Sequence, residues 1–124
     1  EIRWGLIPDI AISVTATNLL RDDLLRELAY TGRVVDGGEA RDLGLVTAIH
    51  DDPLQAARDT ARLIASRSPD AIRAMKTLFN ERRDLDAAQS LALEARLQSG
   101  IIGRANQLEA VRANVERREP DFED

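Results

Sequence analysis

The chain has 124 residues, a formal net charge of -5, 44% hydrophobic residues, 3% aromatics and no cysteine. That length allows one domain with a core of Leu, Ile, Val and Ala, and burial of roughly two-thirds of the unfolded surface leaves scope for covering by a partner. The acidic balance argues against nucleic-acid binding, the missing cysteine removes disulfide and thiolate chemistry, and no apolar run approaches the ~20 residues of a membrane span.

The first stretch, "EIRWGLIPD", reads as an extended segment ending in a Gly-Pro bend. Residues 9–20 then predict a helix. Asp9 can cap it, with Ile12, Ala16, Leu19 and Leu20 on one face, although Val14, Thr15 and Thr17 are weak helix formers. A second helix is predicted over residues 21–30, with Leu24, Leu25 and Leu28 as its stripe and Gly32 suited to a left-handed cap.

"RVV" at 33–35 and "LVTAIH" at 45–50 read as short β-type runs. They flank a turn and a short helix that Gly44 stops. Asp51-Asp52-Pro53 and Ser68-Pro69-Asp70 both carry helix-start signals. The stripes behind them are Leu54, Ala57, Ala61, Ile64 and Ala65, then Ile72, Met75 and Phe79. Residues 85–98, through Leu85, Ala88, Ala92 and Ala95, and residues 104–118 complete a chain that is mainly α with short β segments.

Several features point to no chemistry. The one histidine, His50, has neither cysteine nor a second histidine to build a metal site, so no metal is expected. Gly37-Gly38 suits a turn. Trp4 and Phe79 read as packing residues, and the "ERRD" and "VERRE" runs read as solvated helix ends.

"EIRWGLIPD", "ELAYTGRVVDGGEARDLGLV" at 27–46 and "VERREPDF" at 115–122, in that order, resemble the crotonase superfamily, the enoyl-CoA hydratase/isomerase family. The resemblance covers the whole chain but only the C-terminal half of the family's domain. It implies the C-terminal part of an α/β crotonase fold, a ClpP/crotonase-like ββα spiral. Residues 1–50 would end the spiral core at the active-site edge, and residues 51–124 would form a helical trimerisation region. The chain begins on Glu1 rather than methionine, and by this resemblance it begins in mid-domain. A targeting segment could precede it, and none is visible within it. A cytoplasmic homotrimer or hexamer, completed by an N-terminal half or a partner chain, is the expectation.

The resemblance also implies chemistry. The family acts on acyl-CoA thioesters, with coenzyme A as part of the substrate and no separate cofactor. Two backbone N–H groups in its N-terminal half bind the thioester oxygen as enolate charge develops there. Glu1 falls where hydratases carry their second catalytic glutamate, with Gly5 and the nearby Trp4 at the substrate side. Trp4 and Leu6 would wall that carboxylate with apolar groups.

Asp9 departs from the glycine typical of hydratases. The dienoyl-CoA isomerase branch has an aspartate there, working with its glutamate as a proton-transfer pair. Eight extended steps would separate Glu1 and Asp9 by about 27 Å, but bends at Gly5 and Pro8 could bring them to one pocket. A helix cap remains the alternative for Asp9. Arg117 stands where members often have a Lys that reaches the CoA phosphates, and its planar fork suits that anion. Asn114 replaces a common Phe, which puts a stacking contact in doubt. Hydration of 2-enoyl-CoA, dienoyl-CoA isomerisation and a non-catalytic assembly role all stay open.

Overall fold

The computed structural model describes residues 1–123. Contacts divide the chain into two compact units, Glu1–Pro53 and the residues from Leu54 onward.

In the first unit the opening segment is not extended. Ile2–Trp4 form a 3-10 helix whose N-terminal carbonyl, that of Glu1, accepts from Trp4 N at 2.8 Å and Leu6 N at 3.2 Å. Gly5 closes the turn at φ 70°, left-handed backbone that glycine adopts at little cost. The helix expected over 9–20 shrinks to one turn, α1 (Ile12–Thr15). Ala11, at φ 58°, occupies its N-cap, so Asp9 does not cap a helix. The Thr15 hydroxyl donates to Ala11 O at 3.0 Å and that of Thr17 to Val14 O at 3.3 Å. Such back-bonding, with the β-branched run, weakens a helix here.

α2 (Asp22–Thr31) ends in Gly32 at φ 61°, and α3 (Gly37–Leu43) starts at Asp36, whose side chain accepts from Glu39 N at 2.9 Å. Gly37 and Gly38 lie in the first turn of α3 rather than in a turn before it. Gly44 ends α3 at φ 87°. Arg33 ties α2 to α3, donating to Glu27 at 2.7 Å and Glu39 at 2.6 Å. Ala16, Leu20 and Ala40 are the buried apolar residues of this unit.

The predicted β-type runs are corrected. Among the described residues there is no strand, and 33–35 and 45–50 are irregular. A strand exists only through ladder bonds to a neighbour, and among the described residues no backbone hydrogen bond joins the two runs.

The second unit is helical. α4 (Pro53–Ala65) leaves most of its apolar stripe exposed. α5 (Pro69–Glu81) is capped by Ser68, which accepts from Ala71 N at 3.5 Å, and a 3-10 turn, Arg82–Asp84, extends it. α6 (Ala87–Ser99) opens with a capping box: Asp86 accepts from Gln89 N at 2.8 Å, and Gln89 accepts from Asp86 N at 3.0 Å. α5 packs against α6 and α7 (Ala105–Glu116).

Leu93 is the buried residue of α6, and Ser90 and Leu97 share its inward face. The predicted alanine stripe is therefore displaced. Alanines offer little area, and the rotation that buries leucine wins. Trp4 is 84% exposed and Phe79 is also exposed, with the Arg82 guanidinium over its ring at 5.6 Å. Neither aromatic is a packing residue of its unit. Among the described residues no helix is long and apolar enough to cross a membrane.

Candidate functional site

The doubling back of residues 1–8 places Glu1 on a cavity of about 210 Å³ in the first unit. Its apolar wall includes Ile2, Pro8, Ile12, Leu28 and Leu45, and Glu1 is the ionisable group on it. Gly32 is also on this wall. A Cβ built on Gly32 would stand 2.6 Å from Ile2 Cγ2, so the missing side chain is what lets the first turn sit on α2. Trp4 and Leu6, expected to wall the carboxylate, are exposed and do not line the cavity.

Gly5 supplies the left-handed turn that carries Glu1 back toward Pro8. Asp9 is exposed beside the cavity-lining Pro8 and is not on the wall itself. The structure thus seats one of the two candidate acids on an apolar cavity and leaves the other outside it. Among the described residues no group of three or more His, Cys, Asp or Glu could hold a metal ion. His50 is exposed.

In the second unit, α7 ends at Glu116 and Arg117 turns left-handed at φ 54°. Arg118 N donates to Ala113 O at 3.0 Å, the six-residue bond of a Schellman end, with arginine where glycine is usual. The guanidinium of Arg117 is exposed and has no hydrogen bond or ion pair among the described residues.

Its neighbour differs. Arg118 grips Glu109 with two bonds, at 2.5 and 3.0 Å, and donates to Glu116 at 2.6 Å, so it is exposed but held at the helix end. The Glu109 side chain is 15% exposed. Its carboxyl is pulled to about 2, first by the Arg118 hydrogen bond and then by Asp121 N–H, which donates at 3.0 Å. Asn114, Ser66, Arg67, Ser68 and Phe122 line a second cavity of about 360 Å³ beside Arg118. An apolar groove of about 600 Å³ runs along α5 and α6 past Met75, Leu78, Leu91 and Ile101.

Asn106, Glu109 and Arg118 carried no sequence signal of their joint role. Their acid–base spacing spans a helix end, which periodicity does not report.

The chain matches the enoyl-CoA hydratase/isomerase family model over residues 1–124. It is 32% identical over 124 residues to the "probable enoyl-CoA hydratase" of Mycobacterium tuberculosis, covering 98% of this chain and 48% of that protein. It is 30% identical over 128 residues to the human mitochondrial methylglutaconyl-CoA hydratase, covering 98% of this chain and 38% of that one. Among solved structures, the enoyl-CoA hydratase from Bacillus anthracis matches with a TM-score of 0.90 and 28% identity, over 98% of this chain and 48% of that chain. The one from Polaromonas sp. JS666 matches at 0.86 and 29%, with the same coverages. This chain therefore spans about half the length of such relatives, with a mainly helical part of a crotonase fold. The chain belongs to the enoyl-CoA hydratase/isomerase family.

Proposed function

We propose that this chain forms the C-terminal part of a cytoplasmic enzyme that hydrates 2-enoyl-CoA thioesters. The observation that carries the reading is that Glu1, an exposed acid reached by a tight turn, is among the residues lining an otherwise apolar cavity. In this role Glu1 holds the water that adds at the carbon β to the thioester and exchanges a proton there. General acid–base catalysis of this kind contributes about 10²–10⁴-fold. The amides that stabilise the enolate come from the rest of the enzyme, and no cofactor beyond the substrate's coenzyme A is needed. Trp4 and Gly5 lie at the substrate side, and Arg117 meets the CoA phosphates with a guanidinium free of internal partners. Residues 1–50 supply the active-site edge. Residues 51–124 build a trimer or hexamer, for which the uncovered apolar groove along α5 and α6 is the supporting observation.

With the intact protein, loss of enoyl absorbance from crotonyl-CoA tests hydration. Glu1→Gln should lower kcat by about 10²-fold or more, and full activity in that variant would remove Glu1 from the mechanism.

A second reading, dienoyl-CoA isomerisation, is favoured by one observation. Asp9 is not used as a helix cap, so its carboxylate is available for proton transfer. Asp9→Gly should then abolish isomerisation, and undiminished turnover of a dienoyl-CoA by that variant rejects the pair.

A further inference from the structure

Nothing in the sequence stops α7 at Glu116. The next three residues are Arg117, Arg118 and Glu119, and proline comes only at 120. Yet the helix ends there, and Arg117 takes a left-handed backbone, which is strained for an L residue. Such strain persists only where the surroundings over-determine it.

The surroundings are a clasp. Asn106 and Glu109 stand three residues apart on one face of α7. Glu109 takes Arg118 by two bonds and Asp121 N–H by one. Asn106, 6% exposed, acts on Glu123 as a strand would: its Nδ2 donates to Glu123 O at 2.8 Å, and its Oδ1 accepts from Glu123 N at 2.9 Å. The other Nδ2 hydrogen goes to Asp70 at the start of α5, at 3.0 Å. Both amide hydrogens are donated and the amide oxygen accepts one bond. Residues 118–123 are thereby folded back along α7, and the chain must reverse within one residue, which is Arg117.

We infer that Asn106 and Glu109 are positioning residues for Arg117, setting its unpaired guanidinium at the bend where it meets a phosphate of coenzyme A. This rests on the reading of Arg117 as a phosphate contact. The strain arises from the Cβ that any L residue carries at this φ, and the bend it marks is the one that presents the Arg117 side chain.

The test uses the intact protein and titration with coenzyme A by calorimetry, plus steady-state turnover of crotonyl-CoA. Arg117→Ala should weaken coenzyme A about 10-fold. Asn106→Ala should weaken it about 3–10-fold and raise KM with kcat within twofold. In an Arg117→Ala background the Asn106 change should cost nothing further, because it acts through the missing guanidinium.

Equal losses with and without Arg117 would overturn the inference, since a merely structural residue gives that pattern. So would unchanged affinity in a folded Asn106→Ala variant while Arg117→Ala is weakened, an outcome that leaves the phosphate reading standing. Unchanged affinity in Arg117→Ala itself removes both. Should Asn106→Ala not fold, Glu109→Gln decides the same question. It keeps an acceptor for Asp121 N–H and loses the ion pair, and the same loss of coenzyme A affinity, dependent on Arg117, is expected.

Discussion

Arg117→Gly should make the protein more stable and a poorer binder at once. The native backbone at 117 has φ 54° and ψ 44°, which glycine adopts without the clash between Cβ and carbonyl. Relief of about 1–2 kcal/mol is partly offset by the larger freedom of glycine in the unfolded chain, roughly 0.5–1 kcal/mol. The net gain is about 0.5–1 kcal/mol, or a 2–5-fold smaller unfolding constant. Urea unfolding followed by circular dichroism should show a higher midpoint with an unchanged slope, and the melting temperature should rise by about 2–5 °C. Coenzyme A affinity, measured in parallel, should fall. A loss of stability would refute the reasoning, because it would mean that the Arg117 side chain holds the fold together and is not free for a ligand.

Three other outcomes follow from the packing. Gly32→Ala sets a Cβ 2.6 Å from Ile2 Cγ2 on a backbone at φ 61°, so it should cost about 1–3 kcal/mol and lower turnover by moving Glu1; an unchanged melting curve would contradict the packing of the first turn on α2. Glu109 has its folded-state pKa depressed to about 2 from an ordinary 4.5, so its stabilisation is complete above 4.5 and is lost as pH falls toward 2. Thermal melts between pH 5 and 2.5 should show this acid destabilisation in the parent and a smaller one in Glu109→Gln; identical slopes would count against the Arg118 grip. Leu93→Ala, at a site 4% exposed, should cost about 2–3 kcal/mol in chemical denaturation, at the low end because the adjoining groove can collapse. A cost under about 0.5 kcal/mol would be that of a surface site.

Helix ends were legible because their causes are local. Ser68, Gly32 and Gly44 act within four residues of themselves, and each stands at the helix boundary its side chain or backbone freedom creates. The β-type runs were not, since strand formation depends on a neighbour that residue preference does not reveal. The opening turn was missed for a related reason: Gly5 licenses a left-handed reversal, but what draws the chain back is Ile2 settling on Gly32, thirty positions away. Glu1 was singled out by its motif, and the structure sets it among the residues that line a cavity. The residues that wall that cavity were not singled out, and Trp4 was misplaced among them. Asn106 and Glu109 are further from legibility still. Their bonds reach backbone groups 12 and 17 residues distant, and no periodicity encodes them.

The small buried set has a calorimetric consequence. Ala16, Leu20, Ala40, Leu93 and Ala113 are the buried apolar residues among those described, and three of the units' largest apolar groups, Trp4, Ile10 and Val34, stand more than four-fifths exposed. Unfolding therefore transfers little new apolar surface to water. The heat-capacity increment should fall below the usual ~12–15 cal/mol/K per residue, giving a flat stability curve and a broad melt. Any protein surface that covers the α5–α6 groove would restore the missing increment, so heat capacity reports on assembly here before activity does.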